Sequence, residues 1–269
     1  MITYRTPYTK HANKILHWLS SDTKAEYNNN LSKKYHLLKK NNWIDYPLTY
    51  KFNSHGFRCE EFTDDPSIMF LGCSNTIGTG LPVHKIWPEI VAKKVNLKCV
   101  NLGIGGGSND IAFRLCHGWI DKINPKIVIL LAPPIKSPRF ELIYKGITKR
   151  YGPWDDMHRV SSFVRKWLGE DNNSYFNTIK NQMAIEHMCN QKNIRFLKFE
   201  SSYGLNDFIS NWRNHKLLKF VSFDSFKDYN SNSPALDSFH TDKTDLARDL
   251  AHLGIKTHQA FADYVASII

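Results

Sequence analysis

Hydrophobic positions along the chain fall into two rhythms. "SIMFLG" (67–72), "LKCVNLG" (97–103) and "KIVILLAP" (126–133) are nearly unbroken apolar runs bounded by glycine or proline. Runs of that length predict strands buried on both faces, as in a parallel sheet. Between them, "IWPEIVAKKV" (86–95) and "SNDIAFRLCHGWIDKI" (108–123) carry apolar residues at helical spacing, among them Ile111, Leu115, Trp119 and Ile123. Ser108 stands where a helix N-cap belongs. A helix near 174–191 and a strand at "NIRFLKFE" (193–200) continue the alternation, and Gly254 precedes a terminal helix.

Strands alternating with helices predict an α/β fold: three layers around a central parallel sheet. Residues 1–50 show short helical patterns rich in aromatics and lysine, and read as an N-terminal helical extension to a domain spanning 51–269. Two stretches, near 134–172 and 201–244, lose the rhythm and read as irregular insertions, the first of them lid-like. In a parallel sheet, ligands sit beyond the carboxyl ends of the strands. Ser74, Gly105–Gly107 and the 133–139 loop would all emerge there.

Composition narrows the picture. The chain has 269 residues, 42% hydrophobic and 13% aromatic, which is ample for one large core. No apolar stretch approaches the roughly 20 residues of a membrane span. The opening "MITYRTPYTKHANKILHWLS" lacks the pattern of a signal peptide, so a cytoplasmic location is expected. Five cysteines (Cys59, Cys73, Cys99, Cys116 and Cys189) with no CxxC spacing predict buried thiols rather than disulfides or a zinc site. The formal charge of +11 permits a polyanionic partner. Its densest patch, "KKYHLLKK" (33–40), reads as an amphipathic helix, and no nucleic-acid partner is expected.

"IMFLGCSNTIGTG" (68–80) holds the first candidate chemistry. A serine hydroxyl becomes nucleophilic only beside a base, and it needs nearby N–H donors for the developing oxyanion. Ser74, at a strand end entering a helix, meets the geometric demands, although helix capping or phosphate binding would use the same position. The tighter GxSxG elbow is absent, since Thr76 replaces its second glycine. Late in the chain, "ARDLAHLGIKTH" (247–258) sets Asp249 three residues before His252. An aspartate so placed could fix the tautomer of a basic imidazole, although surface and loop roles would fit the same two residues. "DSFH" (237–240) repeats the D-x-x-H spacing with Asp237 and His240.

Together these blocks resemble the SGNH, or GDSL-type, hydrolase family. "FLGCSNTIGTG" resembles its first block, with Cys73 in place of the usual Asp. "VNLGIGGGSND" (100–110) resembles the second, and "DLAHLGIKTH" (249–258) the closing D-x-x-H block, with His258 as the second histidine. "NSHGFR" (53–58) and "IWPEIV" (86–91) are similar to segments of members related to polysaccharide acyl-transfer enzymes.

The resemblance implies a flavodoxin-like fold and a serine esterase acting through an acyl-enzyme, with no metal or organic cofactor. It implies Ser74 as nucleophile, His252 as base and Asp249 as its orienting acid, with the N–H groups of Ser74 and Gly106 as oxyanion donors. The family's third-block asparagine is missing, because "KIVILLAP" runs on into "PIKSPRFE". Asn109, Asn75 and Arg139 are candidates to replace it. The implied substrate is a small-molecule or carbohydrate ester, in particular a short acyl group on a sugar. Two other readings stand beside this one: an O-acyltransferase using the same triad, and a non-catalytic binding module that keeps the fold.

Overall fold

A computed structural model of the chain describes residues 4–145, 147–202 and 234–269. Most of the 201–244 stretch lies outside these residues. The central sheet has four parallel strands, β3 (Ser67–Gly72), β4 (Lys98–Asn101), β5 (Ile127–Ala132) and β8 (Arg195–Glu200), in the spatial order β4-β3-β5-β8. Register is set by Met69 opposite Val100 on one side and Val128 on the other, and by Leu130 opposite Lys198. The first sheet strand thus lies between the second and the third, and its crossovers leave in opposite directions. That reversal opens a crevice beyond the carboxyl ends of β3 and β5.

Both faces of the sheet are covered, as the unbroken apolar runs require. Met69, Leu71, Val128 and Leu130 point to one side. There they pack with Ile111, Leu115 and Trp119 of α5 (Asn109–Ile123) and with Ile185 and Cys189 of α7 (Asp171–Gln191). Ile68, Phe70, Ile129 and Leu131 point to the other. They meet Trp87 and Val91 of α4 (Trp87–Lys94) and Phe261 and Val265 of α8 (Ile255–Ser267). The fold is therefore α/β and three-layered. Each fully buried Ile, Leu or Phe contributes about 1.5–3 kcal/mol of transfer free energy. The Ser108 side chain caps α5 by accepting from Ile111 N–H (3.4 Å), and Asn124 ends the helix in a left-handed turn (φ 46°). All five cysteines are buried free thiols.

Residues 4–50 are woven into this core. β1 (Ile15–Leu16) pairs antiparallel with β2 (Tyr50–Lys51), so a boundary drawn after residue 50 falls inside a strand. Tyr8, Leu19, Leu48 and Tyr50 join the α5/α7 side of the core. Leu38 of α2 (Tyr35–Lys40) and Trp43 pack on Leu81, Ile86 and Ala247. A third short helix, α1 (Lys24–Lys33), begins at Thr23, whose hydroxyl accepts from Glu26 N–H (3.1 Å).

The 134–172 stretch contains regular structure: a hairpin of β6 (Phe140–Tyr144) and β7 (Ile147–Tyr151), followed by α6 (Ser162–Leu168). Its own small core holds Phe140, Val164 and Leu168, with Trp167 4.4 Å from Phe140 between ring centres. The hairpin escapes the sequence pattern because β6 turns Leu142, Ile143 and Tyr144 outward, without apolar–polar alternation.

Candidate active site

Three segments meet at the carboxyl edge of the sheet. The first leaves β3 through Cys73 into the four-residue α3 (Ser74–Ile77), which Gly78 closes in a left-handed turn (φ 76°). The Ser74 carbonyl accepts from Gly78 N–H (2.9 Å) and Thr79 N–H (3.0 Å), which fixes the turn around the half-buried serine. Arg58 fastens the turn from behind. Its buried guanidinium donates to the carbonyls of Ile77 (2.9 Å), Gly78 (2.7 Å) and Leu81 (2.6 Å) and stacks on Tyr50 at 4.3 Å. Burial pushes its pKa down to about 10.

The second segment follows β4. Asn101 Nδ2 donates to the Thr76 carbonyl (2.8 Å), and Asn101 Oδ1 accepts from Gly103 N–H (2.9 Å). This carboxamide bolts the glycine loop to α3. A Cβ at Gly103 would stand 2.6 Å from Ile77 N, so only glycine allows that approach. Ile104 N–H donates to the Gly72 carbonyl (3.1 Å), and Gly105 N–H donates to the Tyr8 hydroxyl (3.1 Å). Gly106 lies at φ +65°, and its N–H has no partner among the described residues. Ser74 N–H, in the first turn of α3, is likewise unbonded among them.

The third segment is the loop before α8. Asp245 is buried and caps that helix: Oδ2 accepts from Thr257 N–H and Oγ1 (2.8 Å each), and Oδ1 accepts from Lys256 N–H (3.2 Å). Asp249 is buried as well. Its Oδ1 accepts from the N–H groups of Ala251 and His252 (3.1 Å each). Its Oδ2 sits 2.6 Å from His252 Nδ1 and accepts from Ser21 Oγ at 2.7 Å. Burial acts to raise the Asp249 carboxyl. The bond and charge of His252, with Ser21 and Ala251, outweigh it and hold the group below the ordinary carboxylate value. An ionised carboxylate only accepts, so Nδ1 carries a proton, and in the neutral form of the ring Nε2 presents a lone pair.

A backbone hydrogen bond joins the first and third segments. Arg248 N–H donates to the Gly80 carbonyl (3.0 Å), just past the α3 turn. Ser74 Oγ lies 4.0 Å from Cys73 Sγ, and no direct hydrogen bond joins it to His252 among the described residues. In enzymes that bond is often unformed until substrate arrives.

The remaining sequence candidates sort by position. The Asn109 amide donates one N–H to Thr178 Oγ1 (3.1 Å) on α7, and its buried Oδ1 has no partner among the described residues. Asp110, next to it, gathers Asn177 and Asn181 of α7 (2.9 Å each), so "GSND" ties α5 to α7. Asn75 Oδ1 is buried without a partner among the described residues. Arg139 donates to Ser137 O (3.0 Å) and Oγ (2.6 Å). His258 Nδ1 accepts from Trp87 N–H (3.2 Å) at the start of α4. Burial, with His252 nearby, pushes its pKa down to about 3, so it stays neutral. Asp237 and His240 belong to a 3-10 turn (Leu236–Phe239) and its cap, and Asp237 Oδ1 and His240 Nε2 are each buried without a partner among the described residues.

Ser21, Tyr8, Arg58 and Asp245 carry no sequence signal for these roles. Each bonds across the fold or through a local turn that no short motif marks. Among the described residues, no group of three or more His, Cys, Asp or Glu side chains is placed to hold a metal ion. No helix there is long and apolar enough to cross a membrane.

No family model matches the chain, and no curated protein matches it in sequence. Solved structures do. A protein described as lipolytic, of the G-D-S-L family, from Desulfitobacterium hafniense is similar over 76% of this chain and 99% of its own, with 12% identity and a TM-score of 0.45. An acetyl xylan esterase from Butyrivibrio proteoclasticus is similar over 76% of this chain and 63% of its own, with 12% identity and a TM-score of 0.43. A GDSL-like lipase from Bacteroides thetaiotaomicron is similar over 75% and 86%, with 9% identity and a TM-score of 0.39.

Proposed function

We propose that the protein is a serine ester hydrolase that cleaves a short acyl group from a carbohydrate through an acyl-enzyme. One observation carries this reading. A buried aspartate holds an imidazole at 2.6 Å, with its outer nitrogen free, in a loop hydrogen-bonded to the turn that bears Ser74. A merely structural histidine has no need of an ionised partner that is itself held by three further donors.

In the reaction, His252 Nε2 takes the proton of Ser74 Oγ as the oxygen attacks the acyl carbonyl. Asp249 keeps the ring in the correct tautomer and stabilises the imidazolium. The N–H groups of Ser74 and Gly106 receive the oxyanion, in a loop already rigid before substrate binds. His252 then gives its proton to the departing sugar alkoxide, leaving Ser74 acylated. Water, deprotonated by His252, attacks the acyl-enzyme and releases the carboxylic acid. With the Asn109 amide engaged by Thr178, two backbone donors do the work that the family shares with an asparagine.

A fluorophosphonate probe tests this directly. Wild-type protein labels at Ser74 and hydrolyses 4-nitrophenyl acetate, and Ser74→Ala does neither while keeping its circular dichroism. A folded wild-type protein that neither labels nor turns over defeats the esterase reading in favour of a binding module. An added sugar that captures the acyl group in place of water makes the protein a transferase.

A further inference from the structure

The hairpin β6–β7 brings two arginines and a tryptophan to the candidate oxyanion loop. Trp154 Cη2 lies 3.2 Å, and Arg150 Nη1 3.4 Å, from where a Cβ on Gly106 would stand. Arg150 also donates to the Gly105 carbonyl. Arg139 lies over the Trp154 ring at 5.4 Å, half-buried, and is an electrostatic neighbour of Cys73, the residue before the nucleophile. Trp154 remains 51% exposed, so part of its indole is open to a ligand.

Neither guanidinium pairs with a carboxylate among the described residues. The other half-buried or buried arginines are matched: Arg114 with Glu141 (2.6 Å), Arg248 with Asp22 (2.7 Å), and Arg58 with a ring of carbonyls. The ladder even offers Arg150 a partner, since Glu141 stands directly opposite it. That carboxylate instead turns to Arg114, which it grips through both oxygens. Among the described residues, Arg150 is left with Nε and Nη2 unbonded, and Arg139 with Nη1 unbonded. A half-buried guanidinium without a counter-charge among the described residues is suited to receive one from a ligand, and its fork matches the two oxygens of an oxyanion.

We infer that Arg139, Arg150 and Trp154 form a subsite for an anionic sugar, so that the substrate is an ester of an acidic carbohydrate whose carboxylate or phosphate bridges the two arginines. Trp154 supplies an apolar platform with a polar rim, which suits a pyranose ring. This subsite rests on the esterase reading for its place beside the reacting ester. The guanidinium pair itself does not depend on that reading.

The test has a turnover arm and a binding arm. Turnover compares an O-acetylated glucuronate oligosaccharide, an O-acetylated glucose phosphate and an O-acetylated neutral glucoside. Wild type favours at least one acidic substrate over the neutral one by about tenfold or more in kcat/KM at low salt, and which of the two is favoured identifies the anion. That ratio falls toward one in Arg139→Gln and in Arg150→Gln, and is largely restored by the lysine variants. Should Arg150→Gln fail to fold, Arg139→Gln alone carries the comparison.

The binding arm titrates unacetylated glucuronate oligosaccharide and glucose phosphate into Ser74→Ala by calorimetry, with and without Arg139→Gln. Binding that needs Arg139, where wild type itself turns over no ester, sustains the subsite and defeats the esterase. Turnover with no preference for charge, and no Arg139-dependent binding, overturns the subsite and spares the esterase.

Discussion

Two of the chain's three strings of the form D-x-x-H, Asp237–His240 and Asp249–His252, have opposite fates. In Asp237–His240 the spacing falls on a 3-10 turn, and both side chains keep a buried atom without a partner among the described residues. In Asp249–His252 the same spacing falls on a loop where the aspartate first binds two backbone N–H groups. Those bonds orient its second oxygen toward the imidazole, and Ser21 fixes that oxygen from the other side. Spacing makes a pair possible; the donors around the aspartate make it a pair.

Deleting each imidazole should separate the two strings most. His252→Ala is expected to lower kcat for 4-nitrophenyl acetate by about 10⁴-fold or more, as losing a triad base does, whereas His240→Ala changes it by less than about threefold. Equal losses, or the reverse ranking, would move the chemistry to the other string. Asp249→Asn leaves the shape intact but removes the charge and favours the wrong tautomer, with an expected loss of about 10³–10⁴-fold. Asp237→Asn serves as its matched control.

Ser21→Ala takes away the outer donor. Activity should fall by about tenfold and stability by about 1 kcal/mol, read by ester assay and urea unfolding, with Ser21→Thr recovering both.

The last prediction leaves activity aside and concerns stability and pH. Folded His258 titrates near 3, whereas an unfolded histidine titrates near its usual 6.5. Between those values the unfolded chain holds the extra proton, so stability is full above about 6.5 and declines as pH falls toward 3. The slope from this group approaches about 1.4 kcal/mol per pH unit. His258→Asn, which keeps an acceptor near Trp87 N–H, should flatten that part of the thermal-unfolding profile. An unchanged slope would remove His258 from the account.

What was legible in the sequence follows from the same contrast. The strands could be read because residues 127–132 and 68–71 need apolar side chains at every position to fill two faces. The Ser108 cap could be read because it acts within its own helix. Asp249 and His252 stood out through a local motif and a family resemblance. The partners that set their state did not: Ser21 acts on Asp249 across 228 residues, and Tyr8 reaches Gly105 across 97. Their hydroxyls look like those of any turn or aromatic cluster until the chain is folded. The hairpin carrying Arg150 was hidden for a different reason. Its exposed residues include Leu142, Ile143 and Tyr144, so the strand showed no two-sided pattern.

The Ser21–Asp249 bond also orders events in time. A ribosome that has made only the first 240 residues has already delivered Ser74, the glycine loop and Ser21, but not the imidazole meant to act on them. Under the proposed mechanism such a nascent polypeptide should be inert toward esters. Contacts of this sequence separation form late in folding, because the intervening chain must first be gathered. Under the proposed mechanism, activity therefore requires docking of the Ser21 and Asp249 segments, and its recovery on refolding should lag behind formation of the sheet.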